Sequence, residues 1–316
     1  MNKLTKAESA YLMNCKSNEQ SNTTIEQLER IFRLFGESMQ RNGHKDICME
    51  AVRDWRAEMN DRELSPTTMN LYLGVMRTVN RWAVEMKYIA ENYFTDAVMP
   101  SRKAVARAKK KHYENLMPMQ DYMTILGRTE RPKGHRASTW RRDRAILMMF
   151  LLSGIRNSEL RSVTINDLNA RNNTITIRHG KGDKFRYATY PREAQQAVRE
   201  YLDDGYRPAT ATDSDWLFGI EKDGEWKQMS RVSLSQSVKR TVNQILGNGG
   251  MMTHALRHAF ASVMYDAGVP LDEIRDLLGH ESVSTTEVYA ERLRPNAPTE
   301  SANMVFEKLL GGCAGC

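Results

Sequence analysis

Cysteine is too scarce to staple this chain. Four occur in 316 residues, Cys15, Cys48, Cys313 and Cys316, too dispersed for a disulfide framework. The last two form a lone Cys-x-x-Cys in a glycine-rich tip, which without a second ligand pair predicts a frayed tail rather than a structural zinc site. No stretch approaches the ~18 apolar residues of a membrane span, and the start has no apolar signal-peptide core. The expectation is a cytosolic protein with no membrane partner. No cluster of carboxylates suits a catalytic magnesium, and the one Gly-Lys-Gly turn, Gly180-Lys181-Gly182, lacks the rest of a Walker loop. No metal or nucleotide cofactor is expected.

Acid is also missing from Ser101 to Lys111, where Arg102, Lys103, Arg107, Lys109, Lys110 and Lys111 stand. Over the whole chain 46 Lys and Arg face 39 Asp and Glu, a formal charge of +7. That balance favours an anionic partner without identifying it. The length is enough for one large or two ordinary domains.

What is present concentrates between Thr253 and Tyr289. A helix opening at Thr253 and stopping at Gly268-Val-Pro270 places Ala255, Leu256, Ala259, Phe260, Val263 and Met264 on one face. His254, Arg257, His258, Ala261 and Tyr265 fall on the other, so His254 and Arg257 are expected one turn apart on a polar side. A second short helix, with Ile274, Leu277 and Leu278 as its stripe, ends at Gly279 and delivers His280 just past its terminus. Ser284 with Glu287 reads as the capping box of a third helix, with Tyr289 one turn inside it. Three helix ends thus bring two histidines, an arginine and a tyrosine toward one point.

A tyrosine hydroxyl is a poor nucleophile at neutral pH unless its proton is removed or its developing charge is stabilised. Arginines aimed at the non-bridging oxygens of a phosphodiester stabilise a pentacoordinate transition state, where negative charge grows. Histidines hydrogen-bond those oxygens or move protons. Such a set suits covalent attack on a nucleic-acid phosphate better than acyl transfer, which needs no array of cations.

These residues resemble the tyrosine recombinase (phage integrase-like) family in its compact two-domain form. His254-Ala-Leu-Arg257 matches its His-x-x-Arg motif, Leu278-Gly279-His280 its Leu-Gly-His motif, and Ser282 through Tyr289 its Ser-x-x-Thr-Thr-x-x-Tyr ending. Ser153-Gly-Ile-Arg156-x-Ser-Glu159-Leu resembles its first arginine motif, with Glu159 placed to orient Arg156. Gly180-Lys181-Gly-x-Lys-x-Arg186, between an alternating strand at Thr174 to Arg178 and a return strand at Phe185 to Tyr190, resembles the hairpin that carries its catalytic lysine.

The rest of the chain reads as helix. Thr23 with Glu26 suggests a capping box before a stripe of Ile25, Leu28, Ile31, Phe32 and Phe35; Met49 to Met59 forms another helix, and Ser65-Pro66 opens a third. Their outer faces carry Arg30, Arg33, Arg53, Arg77, Arg81 and Lys87. The Ser65 to Asn92 region resembles the family's core-binding domain by spacing. A buried helix is predicted over Trp140 to Ser153, with others over Glu193 to Leu202 and Val232 to Leu246.

The predicted fold is mainly α: a helical core-binding domain over 1–105, a basic linker over 106–112, and an α-rich catalytic domain with a small antiparallel β-sheet over 113–298. Residues 299–316 form a tail whose short amphipathic piece docks on its own domain, frays or, as the family resemblance implies and this reading favours, docks on a neighbouring protomer. The resemblance implies site-specific recombination of double-stranded DNA through a covalent 3′-phosphotyrosine and a Holliday junction, in a homotetramer on paired sites. Accessory DNA-bending proteins are candidate further partners. It implies Tyr289 as nucleophile, Arg156 and Arg257 on the scissile phosphate, His254 and His280 assisting, and Lys181 as the acid, with His258 in support. Arg77, Arg81, Arg102, Lys103, Lys109, Lys110 and Lys111 are the candidate DNA contacts. Integration or excision of a mobile element, Xer-like dimer resolution and inversion remain alternatives. Topoisomerase-like relaxation and a non-catalytic DNA-binding role stand further off.

Overall fold

Apolar residues at helical spacing build the first half of the chain. The computed structural model describes residues 3–114, 117–178, 185–247 and 253–279, with side chains from 6 to 108 in the first stretch. The chain divides into two units, Met1–Asn115 and Leu116–Cys316. In the first, α1 (Lys3–Ser17), α2 (Asn22–Arg41), α3 (Met49–Asp61), α4 (Pro66–Glu85) and α5 (Arg102–Glu114) pack as a bundle. The expected stripes are buried, and Phe35, Trp55 and Phe94 interlock at its centre with ring centroids 5.0 to 6.3 Å apart. Pro66 opens α4 behind its Ser65 cap, as its spacing predicts. The cap of α2 is Ser21 rather than Thr23: the Ser21 hydroxyl accepts from the Thr24 amide and starts the helix earlier.

The basic run is a correction. Where a linker is expected over 106–112, the chain is helical throughout, and α5 packs on α4 within the first unit. The Ser101 hydroxyl caps it by accepting from the Ala104 amide. Lys, Arg and Ala are strong helix formers, so a charge run does not by itself predict an open strap.

In the second unit, α7 (Ala137–Ser153) runs through the core with every residue from Arg142 to Ser153 buried. Such a helix has no solvated face and is held by neighbours on all sides. Around it stand α6 (Met119–Leu126), α8 (Asn157–Ser162), α9 (Arg192–Leu202), α10 (Arg231–Leu246), α11 (Thr253–Asp266) and α12 (Leu271–Leu278). Fully burying a side chain such as Phe150 or Ile146, both at 0% exposure, contributes roughly 1.5–3 kcal/mol. The charged residues inside are networked: the Asp143 carboxylate accepts from Arg142 and Arg240, with His135 Nε2 3.4 Å away. Burial pushes its pKa up, but His135 and Arg142 outweigh that and hold it below the usual carboxylate range.

A three-stranded antiparallel sheet, β1 (Leu168–Asn169), β2 (Thr174–Ile177) and β3 (Arg186–Thr189), lies in that order beside α7. Ile175 pairs with Ala188, and Ile177 with Arg186. Ile175, Ile177 and Ala188 are buried, while Tyr187 on the alternate phase is exposed. A second hairpin, β4 (Gly219–Lys222) and β5 (Glu225–Gln228), goes beyond the expected single sheet. Its signal was legible: Asp223-Gly224 takes positive φ at both positions, 56° and 76°, as a two-residue hairpin turn requires. Among the described residues, no helix is long and apolar enough to cross a membrane.

Candidate functional site

The last carbonyls of an α-helix have no partner within the helix. At the end of α7 side chains supply them: Tyr122 donates to Leu151 O, Thr189 to Leu152 O, and Arg257 Nη1 to Gly154 O at 2.5 Å. Gly154 turns the chain there with φ 58°, and a Cβ in its place would sit 2.6 Å from the Phe260 ring and 2.8 Å from Leu278. That tight corner sends the chain directly into Arg156.

At the end of α12 the Gly279 N–H turns back to Arg275 O and Asp276 O, and among the described residues the side chains on the next three carbonyls are all cations. Arg186 Nη1 donates to Leu277 O, Arg257 Nη2 to Leu278 O, and Arg156 Nη2 to Gly279 O, each at 2.6 Å. Three guanidiniums from three separate segments thus sit on three successive carbonyls, at the negative end of a helix dipole. Gly279 makes room for them. Its φ is 64°, and an added Cβ would lie 2.7 Å from both Cδ and Nε of Arg186, so glycine is required by conformation and by space.

Glu159 ties two of these arginines together from inside. Its side chain is 1% exposed; Oε1 accepts from Arg156 Nη1 at 2.7 Å. Oε2 accepts from the Arg156 backbone N–H at 2.8 Å and from Arg186 Nη2 at 2.7 Å. Burial pushes the Glu159 pKa up, but Arg186, the Arg156 amide and the Arg156 guanidinium outweigh it and hold the carboxyl below its ordinary range. Arg186 is shifted down by burial, against which Glu159 pulls it up; a guanidinium stays charged regardless. Two cations share one anion.

The structure therefore gathers Arg156, Arg257 and Glu159 at the end of α12. It corrects one expectation. Arg257 does not lie on a solvated polar face: it is 3% exposed, and Ala261 beside it is fully buried. α11 packs against α7 on one side and α12 on another, so the phase that reads as polar is covered, and Arg257 is tolerated there because helix-end carbonyls need donors. His254, one turn before Arg257, is exposed, its ring 5.3 Å from His258 in an edge-on contact. Lys181, His280, Tyr289 and residues 299–316 lie outside the described residues.

Arg186 was missed as a site residue, although its signal was present. In Phe185-Arg186-Tyr187-Ala188 the arginine occupies the phase of Ala188 and pairs with the buried Ile177, which demands a buried partner for its charge. Phe185 and Tyr187, on the opposite phase, are 57% and 58% exposed and meet edge-on. Of the candidate DNA contacts, Arg81, Arg102 and Lys103 are exposed, while Arg77 is engaged with Asp96 at 2.7 Å. Lys109, Lys110 and Lys111 lie in α5, past the last described side chain of that stretch. Among the described residues, no three His, Cys, Asp or Glu side chains gather as a metal site would require.

A mainly helical fold with small antiparallel sheets, closed around buried arginines, defines a class before it defines a protein. The Phage integrase family pattern matches residues 107–294, more than half the chain. The chain belongs to this family of tyrosine recombinases and is an enzyme of that kind. Among curated relatives, the tyrosine recombinase XerC of Bacillus subtilis (strain 168) is 26% identical over 271 residues, covering 84% of this chain and 82% of that one. The XerC of Lactobacillus leichmannii is 33% identical over 190 residues, 58% and 60% of the two chains. The fold matches the Tn1549 transposon integrase in complex with transposon right end DNA, with a TM-score of 0.67 at 18% identity over 96% of this chain and 99% of that one. It also matches a lambda integrase dimer bound to a COC′ core site, with a TM-score of 0.66 at 13% identity over 94% and 80%.

Proposed function

We propose that the protein is a site-specific recombinase that cuts and rejoins duplex DNA through Tyr289. The observation that carries this reading is the set of arginines fixed on the α12 carbonyls, two of them sharing one carboxylate. A phosphodiester placed against it meets preorganised donors that need no rearrangement as charge develops. In this reading Arg156 and Arg257 hold the non-bridging oxygens, and His254 and His280 assist by hydrogen bonding and proton transfer. The Tyr289 hydroxyl gives its proton to one of these histidines as its oxygen bonds to phosphorus, the bond from phosphorus to the 5′-oxygen breaks, and Lys181 delivers a proton to that oxygen. The phosphotyrosine keeps the energy of the broken phosphodiester, and a 5′-hydroxyl from a partner strand reverses the step. The partners are then duplex DNA with paired sites and a homotetramer that passes through a Holliday junction, with the 299–316 tail docked on the next protomer.

Integration or excision of a mobile element is the primary role in this reading, and the fold shared with a transposon integrase accords with it. The XerC relatives favour a second one, dimer resolution. Sequencing the DNA that flanks the gene separates them, since a junction with a mobile element or a chromosomal resolution site names the substrate.

The chemistry is tested with a duplex recovered by repeated selection on the full chain and nicked beside the cleavage position. The wild-type protein forms a covalent protein–DNA band on a denaturing gel, and peptide mapping places the DNA on Tyr289; DNA on another residue, or none, sinks the reading. The role of Lys181 has its own measurement. Lys181→Ala is slow on ordinary DNA, by about 10²–10⁴-fold as for loss of a general acid. It is substantially rescued by a 5′-bridging phosphorothiolate, whose sulfur leaves without a proton. Equal defects on both substrates pass the role to another residue.

A further inference from the structure

We propose that Arg186 is a positioning residue that occupies one side of Glu159, so that Arg156 is held in place without losing its charge to a closed ion pair. The inference rests on the reading of Arg156 as a phosphate-binding group.

Three observations support it. First, β3 delivers Arg186 inward at a position paired with Ile177, where an apolar residue is the ordinary choice. Its side chain is 11% exposed, and its Nε is buried with no hydrogen-bond partner among the described residues. Burying this guanidinium is costly, and fold stability alone gives little reason for it, because a buried ion pair is often replaced by apolar residues without loss. Second, the two oxygens of Glu159 are divided. Oε1 serves Arg156 Nη1, and Oε2 serves the Arg156 amide and Arg186 Nη2. Third, Arg156 keeps Nη2 on Gly279 O, and its side chain at 20% exposure is more accessible than that of Arg186.

Removing Arg186 changes the balance. Glu159 then has one cation, and a carboxylate facing one guanidinium favours the bidentate fork, with both oxygens on the same arginine. Arg156 would be drawn from Gly279 O toward Glu159, and the trio of Arg156, Arg186 and Glu159 would fall from one net positive charge to none. An incoming phosphate would meet a neutral pair instead of a cation. Glu159 fixes both the backbone and the side chain of Arg156 by accepting hydrogen bonds, a role that a glutamine oxygen keeps in part. Arg186 makes that grip compatible with anion binding.

The test uses the full-length protein with inorganic phosphate as the first probe, so that it does not depend on the DNA site. Thermal stabilisation by phosphate yields its dissociation constant by linkage, and Arg156→Met gives the background from other surface sites. Arg186→Gln removes the charge but keeps amide donors for Leu277 O; it should weaken site-specific phosphate binding about tenfold, the order expected for a unit charge a few ångströms away at a partly screened site. Arg186→Lys, which keeps the charge, should stay within about threefold of wild type. The double variant Arg186→Gln/Glu159→Gln, charge-matched to wild type, should recover to within about threefold, which a merely structural role would not produce. If Arg186→Gln alone fails to fold, the double variant carries the comparison, and a tenfold loss in it overturns the proposal. A double variant no better than Arg186→Gln, or unchanged phosphate binding in Arg186→Gln, overturns it too.

The second arm measures the single-turnover rate of covalent adduct formation at saturating protein, and the DNA dissociation constant separately. The rate should follow the phosphate pattern, while DNA affinity, spread over many backbone contacts, changes little. A phosphate pattern as expected with no adduct in wild type sinks the recombinase reading and leaves the charge division standing. An adduct in wild type with no rescue in the double variant does the reverse.

Discussion

Tyr289→Phe binds its DNA site as tightly as wild type and forms no covalent adduct. The substitution keeps the ring and removes only the oxygen that would bond to phosphorus, so the loss is complete rather than graded. Affinity is spared because it comes mainly from contacts to the phosphate backbone along the duplex, not from one hydroxyl. The measurement pairs a gel shift under native conditions with a denaturing gel on the nicked duplex. A denaturing band as strong as that of wild type removes Tyr289 from the role.

Arg257→Lys is the sharper test of the site as it is built. Both residues are cationic, so the cost of burying a charge is nearly matched and the hydrogen bonds decide. The guanidinium spans Gly154 O and Leu278 O from two separate nitrogens, whereas an ammonium offers its donors from a single point. Leaving one buried carbonyl unpaired costs about 1–3 kcal/mol, which lowers the melting temperature of a unit this size by roughly 2–12 °C. Adduct formation falls by about 10²-fold, as when one donor to a developing oxyanion is lost. A variant that melts and cleaves like wild type shows that charge alone, without the two-carbonyl grip, is sufficient.

Legibility of the fold tracked periodicity. The stripes of α2, α3, α4 and α7 and the alternation of β2 and β3 are local patterns, and each became the expected element. Charge misled twice, in opposite directions. The run from Arg102 to Lys111 read in part as a linker because its residues are cationic, yet they are also helix formers, and α5 resulted. Arg257 read as solvated because its neighbours one turn away are polar or small. Its burial depends on α7 and α12 arriving from distant parts of the chain, which no single-helix projection contains. Arg156 and Glu159 were legible as a pair because they stand three apart on one turn. For Arg186 the strand phase signals burial but not its partners, because the carboxylate it shares lies 27 residues away and the carbonyl it caps 91 away.

The grip of α12 on three arginines also orders events during synthesis. The bonds to Gly279 O, Leu277 O and Leu278 O close loops of 123, 91 and 21 residues, and in every case the arginine is made before the carbonyl that receives it. Arg156 and Arg186 meet Glu159 early, but the cluster has no anchor until the last turn of α12 has been translated and folded. Contacts of such long range close late in folding. A nascent chain carrying all three cations therefore cannot dock them on α12, and the arginine cluster is completed only once the last turn of that helix has formed.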